Sequence, residues 1–252
     1  MDMSLLGDVA PLTALLLLVA AFGASFVGGL SGFGTGLIIA LFITPIVGAK
    51  SVIPVLSVFM TFTNGSRVWF FRNGLDWRPV VLIAGPAIPA SVLGAMLQVR
   101  IESQAMQILL GLILILAVPV RRWLEGRKVA PGYTALMLFG AAFGFSSSLI
   151  LGTGMLIIPM LLGTGLAGGA LLATDAAIAL IVNLARAIAF GRLDALTMPL
   201  VTLAVAMGVM TIPGTWAARY IVQRTPIRIH TLAIEALIIV GGASMIIGAL
   251  RS

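Results

Sequence analysis

Two short stretches carry residue types suited to holding a small oxyanion. Asn64-Gly65-Ser66-Arg67 and Asn183-Leu184-Ala185-Arg186 each place an asparagine three residues ahead of an arginine. On a helix that spacing sets both side chains on one face. The guanidinium offers a fork of N–H donors and a full positive charge, and the amide adds a further donor. Both stretches lie in apolar surroundings, where an arginine at the centre of a bilayer costs about 2.5–3.5 kcal/mol on insertion scales. The competing reading is that Arg67 and Arg186, near segment ends, snorkel to the membrane surface.

Two glycine-rich breaks precede these pairs: Gly28-Gly29-Leu30-Ser31-Gly32-Phe33-Gly34-Thr35-Gly36, and Ser146-Ser147-Ser148-Leu149-Ile150-Leu151-Gly152-Thr153-Gly154. Glycine lets backbone approach a ligand, and a helix starting at such a break aims unpaired N–H groups into the gap. Those ends attract anions. Ser31, Thr35, Ser147, Ser148 and Thr153 are candidate hydroxyl donors beside the backbone of Gly34, Gly36, Gly152 and Gly154. The alternative use of the glycines is close helix packing. Recurrence of the break beside a short apolar segment in both halves favours a binding role. With Asn64, Arg67, Asn183 and Arg186, these residues form the candidate substrate site.

Acidic residues inside apolar runs are few. Asp175 and Glu235 have no counterparts in the first half of the chain. Protonatable carboxylates so placed are candidate proton carriers; alternatively they neutralise Arg186 or another buried base. His230, at a segment start, reads as an interfacial residue.

The elements that must position these groups are set by composition. The 252 residues are 60% hydrophobic and only 9% charged, against about 25% charged in soluble domains. So few charges cannot cover a water-facing surface, and lipid must be the solvent for most of the chain. Ten apolar segments follow, near 11–30, 33–46, 51–71, 79–98, 104–120, 132–150, 152–166, 170–190, 196–218 and 229–250. Most reach the roughly 20 residues that cross a hydrocarbon core. The second and seventh are short and begin at the glycine breaks, which reads as a broken or re-entrant helix pair in each half. Proline recurs in or beside the runs, where it kinks helices. Trp69, Trp77, Trp123 and Trp216 fall near their ends, as an aromatic belt requires. Residues 1–8 lack the basic start of a cleaved signal peptide, so the first apolar run is expected to stay.

The chain repeats. Phe22-Gly23-Ala24-Ser25-Phe26 resembles Phe139-Gly140-Ala141-Ala142-Phe143, and Gly34-Thr35-Gly36 matches Gly152-Thr153-Gly154. The two Asn-x-x-Arg stretches match, as do Leu75-Asp76 and Leu193-Asp194, all at offsets of 117 to 119. We therefore divide the chain into a first transmembrane repeat (1–124), a linker loop (125–131) and a second repeat (132–252). If all ten segments cross, or each glycine-broken pair forms a re-entrant hairpin, nine loop cations fall on one side and four on the other. If each broken pair makes one crossing, giving eight spans, the split is eight to five. The first arrangement follows the positive-inside rule better. Its odd number of segments per half inverts one repeat relative to the other. The fold class is thus an all-α integral membrane protein with two homologous halves, an inverted repeat being favoured.

Several function classes fall away. Without cysteine and with a single histidine, no thiolate or histidine-rich metal site can form. Twelve methionines show no clustered Met-x-x-Met pattern and serve as packing. No G-x-x-x-x-G-K-[ST] loop is present for ATP, and no nucleophile–base pair for an enzyme. The net charge of +7 reflects cytoplasmic loops rather than nucleic-acid binding. No metal or cofactor is expected.

The glycine-rich break, a proline soon after it, and the repeated Asn-x-x-Arg resemble the TauE/SafE sulfite exporter family over residues 15–250. Gly29-Leu30-Ser31-Gly32-Phe33-Gly34-Thr35-Gly36 and Gly144-Phe145-Ser146-Ser147-Ser148 carry the likeness. The second stretch departs from the family pattern, with Ser147-Ser148 and Leu149-Ile150-Leu151 where Ser-Gly and more glycine are the rule. The resemblance implies a multi-pass permease of the cytoplasmic (inner) membrane that moves, and by analogy exports, sulfite, organosulfonates or related small sulfur-containing anions. Coupled protons are a candidate driving partner, and oligomeric state is left open. The runner-up is a passive small-anion channel on the same scaffold.

Overall fold

A computed structural model describes residues 11–31, 34–106, 131–221 and the single positions 108, 112 and 115. All regular structure among them is helical. The first half supplies α1 (Pro11–Ser31), α2 (Thr35–Val47), α3 (Ala49–Phe71), a 3-10 turn (Arg72–Gly74) and α4 (Trp77–Gln98). The second supplies α5 (Tyr133–Ser147), a 3-10 turn (Thr153–Leu156), α6 (Ile157–Gly163), α7 (Gly168–Arg192) and α8 (Met198–Ile221). These limits follow the apolar runs read from the sequence within a few residues. The expected segments 104–120 and 229–250, with Trp123, Glu235 and His230, lie largely or wholly outside the described residues.

One expectation needs correction. The seventh segment, read as 152–166, is a 3-10 turn followed by a helix of only seven residues. Gly152 and Gly165 take positive φ at its two ends, so the backbone turns instead of propagating a helix. Three described helices combine the length and hydropathy of a membrane span: Trp77–Gln98, Gly168–Arg192 and Met198–Ala218. Helix α3 has 23 residues, but Lys50, Asn64 and Arg67 make it too polar to qualify. It is long enough to span, and it carries Asn64 and Arg67 of the candidate site.

The packing is inside-out relative to a soluble protein. Leu15, Leu16, Val19, Leu93, Leu138 and Ile188 are exposed, while Arg67, Asp175, Asn183 and Arg186 are buried. Membrane solvent favours this arrangement, with charged groups facing the bundle interior. Trp69 and Trp77 are exposed at helix ends. The Arg72 guanidinium lies 4.2 Å from the Trp69 ring centre, and that of Arg78 lies 4.5 Å from the Tyr133 ring centre.

Two apolar cores divide the molecule. One draws Ala21, Ile39, Ile53, Phe59 and Met207 from α1, α2, α3 and α8. The other draws Ile83, Phe143, Leu161 and Ile178 from α4, α5, α6 and α7. The first core also takes Ala95 from α4 and Ala189 and Phe190 from α7, so residues of both halves interleave in it. Exchanging the halves maps the helix packing onto itself: α1 packs on α8 as α5 packs on α4, and α3 on α8 as α7 on α4.

Register contacts give directions. A Cβ added to Gly65 would lie 4.0 Å from Leu180, and one at Gly74 2.9 Å from the Ala170 backbone; Arg67 bonds Asp175 between them. As numbers rise on α3 they fall on α7, so these two helices are antiparallel. On α4 and α5 the pairs Ile83–Gly140 and Ala87–Gly144 rise together, so that pair is parallel. A Cβ at Gly140 or Gly144 would stand 2.2 Å from a carbonyl oxygen of α4, which only glycine avoids. Glycine thus makes the close helix crossing at these two positions.

Candidate functional site

Helix α3 meets α7 between the two cores, and the Asn-x-x-Arg stretches face each other there. Asn64 and Arg67 share a face of α3, and Asn183 and Arg186 a face of α7, as three-residue spacing requires. All four are more than nine-tenths buried, Arg67 being 5% exposed and Arg186 8%. Neither arginine snorkels.

Each arginine holds its own asparagine. Arg67 donates to Asn64 Oδ1 at 3.3 Å, and Arg186 donates to Asn183 Oδ1. Both asparagine carbonyls point at a cation, which turns the amide nitrogens elsewhere. Beyond that likeness the two cations differ. Arg67 donates to Asp175 Oδ2 at 2.8 Å, a buried ion pair joining α3 to α7. Arg186 instead donates to the Ser147 carbonyl at the end of α5. No carboxylate pairs with Arg186 among the described residues. Asp175 is therefore the counter-ion of Arg67.

The glycine breaks close in from either side. Gly34 (φ 97°) precedes α2 and Gly152 (φ 82°) precedes the second 3-10 turn, both in the left-handed region. A Cβ at Gly34 would meet nothing within 4 Å. The glycine is needed there for backbone conformation, and close packing falls to other glycines. No side chain caps α2, whose first N–H groups start beside Gly34 and Gly36. The second break leads into a four-residue 3-10 turn, too short to build an aligned helix dipole. The two breaks are alike in sequence and unequal in electrostatics.

Breaks and helices together enclose a cavity of about 110 Å³. That is somewhat smaller than the ~150 Å³ apolar cavity that admits a benzene ring. Of the residues picked out from the sequence, Gly34, Gly36, Asn64, Arg67 and Asp175 line it. So do Ser147, Gly152, Thr153, Gly154, Asn183 and Arg186. Thr35 and Ser148 do not. The Thr35 hydroxyl donates to Ala24 O at 3.2 Å and that of Ser148 to Ser91 O at 2.7 Å, both tying helices together. The Ser147 hydroxyl bonds Gly144 O within its own helix, so this residue presents its carbonyl to Arg186. Ser31 ends α1, and its side chain lies outside the described residues, as does all of Glu235.

Sequence reading missed the apolar part of the lining. Leu56, Met60, Asn64 and Arg67 of α3 correspond at a uniform offset of 119 to Asp175, Ala179, Asn183 and Arg186 of α7, and all eight line the cavity. Extending the Asn-x-x-Arg match backward by two helical turns finds them. Asp175 thereby acquires an equivalent, Leu56. Among the described residues, three buried polar atoms carry no hydrogen bond: Thr63 Oγ1, Asn64 Nδ2 and Arg186 Nε. Leaving such groups unpaired costs about 1–3 kcal/mol each, and Asn64 and Arg186 both border the cavity.

A second cavity of about 590 Å³ sits at helix ends, between Val47, Lys50, Gln98, Asp194 and Leu200. It contains none of the residues singled out as the site.

A protein-family model described as Sulfite exporter TauE/SafE matches residues 17–245. No curated protein and no solved structure matches the chain.

Proposed function

The chain belongs to the TauE/SafE sulfite exporter family, and from that premise and the cavity's chemistry we propose a secondary transporter of a small sulfur oxyanion. Sulfite and short organosulfonates are the substrate class, moved across the cytoplasmic membrane in the direction of export. One observation carries the reading: Arg186, buried and without a carboxylate partner among the described residues, borders a small cavity with Asn64. A buried cation needs compensation, and an anionic ligand supplies it.

In this mechanism the oxyanion sits between the breaks. Arg186 Nε and Asn64 Nδ2, both unpaired, donate to its oxygens, and the uncapped start of α2 adds backbone N–H groups. Gly152, Thr153 and Gly154 let the opposite wall come close. Arg67 stays latched to Asp175 while the anion is held at Arg186, and protonation of that carboxylate would release it, which makes Asp175 the candidate proton-coupling residue.

The antiparallel run of the equivalent helices α3 and α7 supports an inverted repeat. Rocking of one half against the other around the fixed site would give alternating access.

The test is radiolabelled sulfite, methanesulfonate and sulfate flux in proteoliposomes under imposed proton and sodium gradients. Saturable flux with counterflow supports the transporter. Unsaturable flux with unitary currents supports a channel, and absence of any anion flux defeats both.

A further inference from the structure

The cavity's charge is unbalanced by a single side-chain difference between the two halves. Its charged lining residues are Arg67, Asp175 and Arg186, which sum to +1. Without Asp175 the sum is +2, the value the repeat would have if both halves carried leucine at this position, as Leu56 does. Most of the remaining lining is aliphatic, aromatic or glycine, so few protein dipoles share the task of balancing these charges.

We propose that Asp175 is the specificity-determining residue of the site, and that it restricts the ligand to a single negative charge. This rests on the anion-transporter reading above and adds to it the charge class of the substrate. A monoanion neutralises Arg186 and leaves the Arg67–Asp175 pair intact at 2.8 Å. A dianion of similar size either carries an excess buried charge or must take Arg67 from Asp175. The second course strands a buried carboxylate, an expensive outcome. Rejection therefore comes from a fixed like charge facing the ligand, not from size. Sulfonates and hydrogensulfite carry one charge; sulfate carries two and is scarcely larger. The groups facing Asp175 fit this role. Arg67 of α3 is its only ion-pair partner among the described residues, and the neighbouring Thr174 hydroxyl accepts from the Asp76 backbone N–H.

The experiment measures dissociation constants of methanesulfonate and sulfate for the purified full-length protein, D175N, D175L and R186Q. Wild type is expected to bind methanesulfonate at least about tenfold more tightly than sulfate, the scale of one charge-assisted hydrogen bond. D175N and D175L should lose or reverse that preference by tightening sulfate. R186Q should lose both anions. A wild-type preference for sulfate, or a ratio unchanged in D175N, overturns the proposal while leaving an anion site standing. If wild type binds neither anion, or R186Q binds both as well as wild type, the anion site itself fails. Should neither Asp175 variant fold, the wild-type ratio decides alone.

Discussion

Leu56 and Asp175 occupy equivalent places on α3 and α7, one cavity wall each, and only the second is charged. From that one difference the two arginines part ways. Arg67 has a carboxylate at 2.8 Å, and Arg186 has only carbonyl oxygens among the described residues. The predictions below follow from that division and from the backbone around it.

Arg186→Ala is expected to abolish sulfite transport with membrane insertion and thermal stability close to wild type. It removes a cation whose described partners are a backbone carbonyl and an amide oxygen. Flux in proteoliposomes together with a melting curve in detergent checks this. Wild-type flux in the variant would remove Arg186 from the site.

Arg67→Ala should also stop transport, but through a different loss. Removing one member of a buried ion pair leaves the other charge unpaired, at a cost of about 3–5 kcal/mol. The single variants Arg67→Leu and Asp175→Leu should each lose stability, since either one strands a buried charge. Arg67→Leu strands Asp175 and melts well below wild type. The double variant, with an apolar pair in place of the ion pair, regains most of the lost stability. A double variant no more stable than Arg67→Leu contradicts the pairing.

Glycine variants separate conformation from packing. Gly34→Ala meets open space but must hold φ 97°, at a cost of roughly 1–2 kcal/mol. It is expected to fold and to bind the anion weakly, because α2 no longer starts at the cavity wall. Gly144→Ala would place a Cβ 2.2 Å from Ala87 O and should lower the melting temperature far more. Equal thermal shifts for the two variants would refute this distinction.

The hydroxyls give a negative control. Thr35→Val and Ser148→Ala remove bonds to Ala24 O and Ser91 O, so each costs about 1 kcal/mol of stability with the anion dissociation constant unchanged. Asn64→Leu removes the unpaired amide nitrogen at the cavity, along with the oxygen that Arg67 holds, and should weaken binding about tenfold or more. Titration of methanesulfonate into the three variants reads both effects.

The parts of the fold legible in sequence were those governed by local physics. Apolar runs and glycine or proline punctuation place α1 to α4 and α7 to α8 within a few residues, because lipid demands helices that satisfy their own backbone. The three-residue spacing of Asn64 with Arg67 and of Asn183 with Arg186 fixes a shared face on each helix in advance of any tertiary contact. What stayed hidden depends on the crossing of α3 with α7. Nothing local says that Asp175 reaches Arg67 across 108 positions instead of Arg186 eleven residues further along its own helix. Thr35 and Ser148 were indistinguishable from ligand donors, since a hydroxyl serves a neighbouring carbonyl as readily as an anion. The seventh segment shortened because two left-handed glycines flank it, a conformation that residue type permits but does not demand.

The most direct test of the central claim is a structure of the full-length protein with selenite, whose selenium scatters anomalously and whose oxyanion mimics sulfite. The account predicts an anomalous peak in the cavity between Gly34 and Gly152, with oxygens about 3 Å from Arg186 Nε and Asn64 Nδ2. A peak confined to the outer cavity beside Lys50, or an inner cavity without bound anion at saturating selenite, would contradict it.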